Sequence, residues 1–231
     1  MLLDATESFA EAVRLALADL RPELPWSGAH FRAFKRVGGF NNDFRLTACA
    51  LALSEAEGAL DILPLLVDAE GRGFPELEAR MDQLEPEARA AVQRHYAETA
   101  ALERPLITRE ELDLEGWSLA ILTGRPPEEL EQAWLALGFQ LPGICDSAPH
   151  LRKPEPGGLL QLVEDFRPQE VLFVGDTRDD AACLRAAARL RPDLIWRFAA
   201  VGPDQDWLDA DLRAATLRDL LTRLREEAAT P

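Results

Sequence analysis

The run Gly175-Asp176-Thr177-Arg178-Asp179-Asp180 carries the densest chemistry in this chain. Its three carboxylates repel one another at such short spacing unless a cation sits among them. Oxygen-only donors suit a hard ion such as magnesium. Before them comes Val171-Leu172-Phe173-Val174, an apolar run that reads as a strand buried on both faces of a parallel sheet. Gly175 lets the backbone turn at the strand's end. Asp176 and Asp180 then arrive at the carboxyl edge of the sheet, where open α/β folds place their ligands. The plainer reading is a solvated acidic turn that opens a helix, because Asp favours helix starts.

Two further groups stand at strand-to-helix junctions. Leu119-Ala120-Ile121-Leu122 reads as a second buried strand and ends in Thr123-Gly124-Arg125. The Thr123 hydroxyl could donate to a phosphoryl oxygen, and the Gly124 amide could help because no side chain blocks close approach. A Thr-Gly turn that caps the next helix is the structural alternative. Lys153, in Lys153-Pro154-Glu155-Pro156, offers a fixed positive charge in a loop stiffened by two prolines. A surface lysine ahead of a helix is the common fate of that residue type. Arg125 and Arg178 flank the same junctions, where substrate contact and exposed ion pairing are both open to them.

In that order Thr123, Lys153 and Gly175-Asp176-x-x-x-Asp180 resemble the haloacid dehalogenase superfamily, mostly phosphatases that work through an aspartyl-phosphate. The resemblance spans about residues 115 to 205. It implies a Rossmann-like parallel sheet, an inserted helical cap domain, and a magnesium ion. It also implies hydrolysis of a small phosphorylated metabolite, with Thr123 and Lys153 as catalytic groups and Asp176 and Asp180 serving the metal. A dehalogenase or a phosphomutase on the same scaffold is a further reading. The loop Phe34-Lys35-Arg36-Val37-Gly38-Gly39-Phe40-Asn41-Asn42-Asp43 resembles a subgroup related to phosphoglycolate-type phosphatases. With Gly124 and Arg125, its Lys35, Asn41 and Asn42 are candidate substrate contacts; a capped helix start after a Gly turn explains the same residues.

The superfamily's first motif, Asp-x-Asp followed by Gly at the end of the first strand, has no counterpart in this sequence. The opening Met1-Leu2-Leu3-Asp4 resembles the text just after that motif. The expectation is a chain lacking its first strand and its nucleophile, inactive as it stands, with the start assigned too far downstream. The alternative is a natural, catalytically dead relative that binds a phosphorylated ligand or a protein partner.

Composition narrows the classes. The 231 residues include 41 acidic and 25 basic side chains, for a net charge of −16. That balance argues against nucleic acid or an anionic membrane as partner, and it leaves any phosphate site to local groups. No apolar run has the length of a membrane span. The first residues, with Asp4 and Glu7, lack the basic region of a signal peptide. Cys49, Cys145 and Cys183 match no zinc spacing, and reduced thiols in a cytoplasmic protein are expected.

Residues 5–102 read as a helical domain. Helical periodicity runs through Phe9, Val13, Ala16, Leu17 and Leu20, again from Phe44 to Leu53, and then in two helices opened by Pro75 and Pro86. The stretch from Gly58 to Val67 is apolar but interrupted by Pro64. Residues 103–231, together with 1–4, alternate strands and helices, the mark of a parallel sheet with crossovers. Strands are expected at 119–122, 143–146, 171–174 and 194–201, and helices at 127–138, 156–166, 179–190 and 212–225.

Overall fold

The computed structural model describes residues 2–37, 40, 42–57, 75–145, 147–202 and 209–228. The chain divides into two compact units, one of residues 5–103 and one of residues 1–4 with 104–231. The first is helical and is inserted into the second, which is α/β. This is a Rossmann-like α/β fold with a helical cap, the class that the residue pattern indicates.

The helical unit contains α1 (Thr6–Leu20), α2 (Gly28–Val37), α3 (Asp43–Glu57) and α4 (Pro75–Thr99). Helix α3 is its centre: Phe44 and every residue from Leu46 to Leu53 are buried, as expected of a helix that is apolar all round. Helix α1 adds Ala12, Val13, Ala16 and Leu17; helix α4 adds Met81, Leu84, Ala88, Val92 and Tyr96. Two helices were expected where α4 runs unbroken through Pro86. The residues at 81, 84, 88, 92 and 96 keep one helical stripe across the proline, and burying that stripe outweighs one lost backbone bond. The apolar stretch at 58–67 lies outside the described residues.

The α/β unit begins with β1 (Leu3–Asp4) paired antiparallel to β2 (Arg104–Pro105), so the chain leaves and re-enters this unit through one short ladder. Strands β3 (Ile121–Leu122) and β4 (Gly143–Ile144) form a parallel pair. Strands β5 (Glu170–Gly175), β6 (Ile195–Val201) and β7 (Leu212–Ala214) form a second parallel sheet in that order. Crossover helices α5 (Pro127–Leu137), α6 (Gly157–Phe166) and α7 (Arg178–Leu190) join them, and α8 (Leu217–Ala228) ends the described chain. One apolar layer gathers Leu159, Ala181, Leu184 and Phe198 with Leu122, Val171 and Phe173. The other gathers Val201, Leu220 and Leu224 with Leu119, Leu172 and Val174.

Two expectations change here. Residues 212–214 were expected to be helical and instead form β7, which pairs with Ala199–Val201. The helix starts only after Thr216, whose hydroxyl and amide bind the Asp219 carboxylate at 2.8 and 3.1 Å, a capping signal. Val171 to Val174, expected to be buried on both faces, are only half-buried; among the described residues β5 is an edge strand that pairs only with β6.

Helix α5 ends on Gly138 at φ 76°, with the Gly138 amide on the Trp134 carbonyl. A Cβ there would meet nothing within 4 Å, so the cost of any side chain is backbone strain alone. Gly138→Ala is expected to lower stability by about 1 kcal/mol, with Gly138→Asn costing less, as read by urea unfolding. Equal stability of all three proteins would contradict this capping role.

Candidate functional site

The turn after β5 is built around one carboxylate. Asp180 Oδ2 accepts from the Asp176 amide at 3.1 Å, the Thr177 amide at 3.0 Å and the Thr177 hydroxyl at 2.7 Å. The Thr177 hydroxyl oxygen accepts in return from the Asp180 amide, which makes a reciprocal capping box at the start of α7. Gly175 permits this packing: a Cβ on it would stand 2.4 Å from Asp180 Cβ. The Asp180 side chain, with 4% of its surface exposed, uses its other oxygen, Oδ1, to hold Lys153 Nζ at 2.6 Å.

This ion pair sets the electrostatics. Burial works against both charges. For Lys153, the Asp180 charge, the hydrogen bond to it and the nearby Asp176 charge outweigh burial and hold the ammonium above the ordinary lysine range. For Asp180, burial is outweighed by the Lys153 charge, then by the hydrogen bonds from Lys153, Thr177 and the Asp176 amide, and its pKa falls below the usual aspartate range. Cys183, buried beside them, donates to the Glu155 carbonyl at 3.3 Å. Burial, partly offset by Lys153, pushes its thiol up to about 12, so it is a tie between loop and helix rather than a nucleophile.

The first turn of α6 brings the other sheet to the same place. A Cβ on Gly158 would lie 2.7 Å from Leu122 Cδ1 and 3.2 Å from Ile144 Cγ2. The start of α6 therefore rests on the carboxyl ends of β3 and β4. Lys153, just ahead of that helix, is tied to the turn at the carboxyl end of β5. Thr123 follows Leu122 directly; its amide binds the Ile144 carbonyl at 3.0 Å, and its Oγ1 accepts from the Arg125 amide at 3.2 Å. An oxygen in that role still carries its own proton to donate. Thr123, Gly124 and Arg125 are all half-buried.

Asp176 is exposed at the mouth of this turn. Among the described residues no group of three or more His, Cys, Asp or Glu side chains is placed to hold a metal ion. Magnesium needs less, since it is commonly held by one or two carboxylates, with water and substrate phosphate filling the remaining positions. Asp176 fits that role. Asp180 has both oxygens committed to Lys153 and the turn, so direct coordination by it would cost one of those bonds.

Lys35 and Asn42 have work inside the helical unit. Lys35 pairs with Asp43 at 2.9 Å and lies 5.2 Å from the centre of the Phe31 ring. Asn42 is buried and caps α3, accepting from the Phe44 and Arg45 amides at 3.0 and 3.1 Å. Asn41 lies outside the described residues. The residue that sequence reasoning passed over is Thr177. Its signal was present, because Thr177-x-x-Asp180 has the spacing of a capping box.

The sequence model for haloacid dehalogenase-like hydrolases matches residues 2–188, well over half of the chain. The chain belongs to this family. No curated protein matches it. Among solved structures, a hydrolase from Streptococcus pneumoniae TIGR4 is similar at 16% identity, over 85% of this chain and 86% of that one, with a TM-score of 0.38. No described helix of this family member is long and apolar enough to cross a membrane.

Removing either partner of the Lys153–Asp180 pair strands a buried charge, which costs about 3 kcal/mol. Lys153→Met is expected to lower the unfolding free energy by that amount at pH 7, as read by urea titration. Asp180 has its pKa lowered on folding, so its contribution is present above the unfolded-state pKa and lost as pH falls through the folded one. Lys153 has its pKa raised, so its contribution is present below the unfolded pKa and lost as pH rises through the folded one. The wild-type advantage over Lys153→Met should therefore hold across neutral pH and shrink at strongly acidic and strongly alkaline pH. An advantage that grows at either extreme would contradict the pairing.

Proposed function

We propose that this family member carries the phosphate- and magnesium-binding half of a hydrolase for small phosphomonoesters. The observation that carries the reading is the buried Lys153–Asp180 pair held beside the exposed Asp176 at a strand terminus. Phosphoryl transfer depends chiefly on positioning and charge neutralisation, and the residues match that need. Lys153 puts a fixed positive charge next to the transferring group. Thr123 and the Gly124 amide donate to phosphoryl oxygens from the end of β3. Asp176 holds magnesium, which when bound neutralises phosphate charge. Asp180 acts through Lys153 and the turn. Arg125 lies close enough in sequence to Thr123 to meet the substrate's leaving group.

The nucleophile in this reading is an Asp carboxylate, and no Asp-x-Asp-Gly in this sequence identifies it. Its oxygen attacks phosphorus, the ester P–O bond breaks, and the alcohol leaves with a proton from a general acid. Water then attacks the phosphorus of the aspartyl-phosphate, the carboxylate is released, and inorganic phosphate departs. The chain alone would bind phosphate without turnover. The same absence favours a second reading, a relative that binds a phosphorylated ligand or protein and catalyses nothing. A cytoplasmic location suits either reading, given the three free thiols.

Calorimetric titration with inorganic phosphate tests the site. Binding should require magnesium, weaken at least tenfold in Asp176→Asn, and disappear in Lys153→Met. Phosphate binding that is unchanged by chelator and by both substitutions would sink the proposal.

A further inference from the structure

Helix α7 turns opposite chemistries to its two sides. Its inner side buries Asp180, Leu184 and Ala187. At about 100° per residue, Arg178, Arg185 and Arg189 fall within about 40° of one another on the far side, and all are exposed. Ala182 and Ala186 lie along the same stripe, which therefore reads Arg-Ala-Arg-Ala-Arg over about 16 Å of helix. It holds no carboxylate, because both acids of α7, Asp179 and Asp180, are buried at its first turn. Leu190, 62% exposed, follows at the carboxyl end.

Among the described residues the fold makes no use of Arg185 and Arg189. Surface arginines such as Arg14, Arg80, Arg94 and Arg218 hold carboxylates. Arg185 and Arg189 make no side-chain hydrogen bond or ion pair with a described residue, in a chain with 41 acidic residues. Four apart on one face, they repel each other and weaken the helix that carries them. The helix dipole favours Arg189 in the last turn but gives nothing to Arg185 in the middle.

We propose that the outer face of α7 is a docking surface for an acidic helix of a different, partner protein. Charge complementarity chooses the occupant. Guanidinium groups take carboxylates through paired hydrogen bonds, and the two alanines leave room for a second helix to approach. A partner helix with acidic residues at i, i+4, i+7 and i+11 meets the three arginines in either direction, and an apolar residue at its end reaches Leu190. A two-fold pair of this chain through the same face would set arginine against arginine. The net charge of −16 disfavours nucleic acid. The surface goes beyond the hydrolase reading and does not depend on it, since Arg185 and Arg189 take no part in the phosphate site.

The probe is a labelled synthetic peptide, Leu-Glu-Ala-Ala-Gln-Glu-Ala-Ala-Glu-Gln-Ala-Ala-Glu-Leu, titrated with the full chain and followed by fluorescence anisotropy. Binding should saturate and should weaken as salt is added. It should fall at least tenfold in the double variant Arg185→Glu with Arg189→Glu, because like charges then face each other. A peptide of the same residues with its glutamates spread around the helix should bind at least tenfold more weakly. No saturable binding, equal binding by the rearranged peptide, or equal affinity of the double variant overturns the surface. Both arginines are exposed, so the double variant should unfold at the wild-type urea midpoint; a lowered midpoint makes the stripe structural and overturns the proposal. Self-association of the chain that the double substitution abolishes overturns the partner in favour of a second copy. Tighter binding to a DNA duplex than to the peptide, lost in the same variant, overturns it in favour of nucleic acid.

Discussion

A buried lysine–aspartate pair is the constraint on which the rest of the site depends. Taking two charges out of water costs several kcal/mol each, and attraction offsets this only where geometry is good and the remaining hydrogen-bonding positions are filled. Here they are filled: one Asp180 oxygen holds Lys153, and the other takes two amides and a hydroxyl. The pair therefore fixes two pieces of chain at once, the loop before α6 and the turn after β5. With the loop fixed, Gly158 seats the start of α6 on the ends of β3 and β4, and Thr123 is carried to the same rim.

In the proposed reading this arrangement sets a local charge against the protein's overall one. A net charge of −16 repels phosphate at a distance. Lys153 answers with a local positive charge kept in a nearly dry setting, with 10% of its side chain exposed, where electrostatic interactions are stronger than in water. Most other ion pairs, such as Arg14–Glu11 and Arg191–Asp193, lie at the surface and add little. The helical unit is held by its own apolar core around α3, so the two units do not share one source of stability.

Much of this was legible in the residues. The run into Gly175 and the carboxylates after it announced a strand, a turn and a helix start, and the structure has β5, Gly175 and α7 in that order. Thr177 shows how local the readable part is: its partner stands three residues on, within reach of pattern reasoning. The Lys153–Asp180 contact spans 27 residues and could be anticipated only through resemblance. Pro86 misled because a proline's local preference yielded to a stripe of buried side chains along α4. Residues 212–214 misled because β7 exists only by pairing with β6. The half-burial of Val171 to Val174 was hidden for the same reason: whether an apolar strand is central or an edge is decided by its neighbours in space.

The central claim is that Thr123, Lys153 and Asp176 surround one phosphate beside one divalent ion. Crystals soaked in manganese and inorganic phosphate, with anomalous difference density at the manganese edge, test it most directly. The account predicts manganese on the Asp176 carboxylate and phosphate between Thr123 Oγ1 and Lys153 Nζ, with the Lys153–Asp180 pair intact. Manganese bound away from Asp176, or phosphate bound away from Lys153, would contradict it.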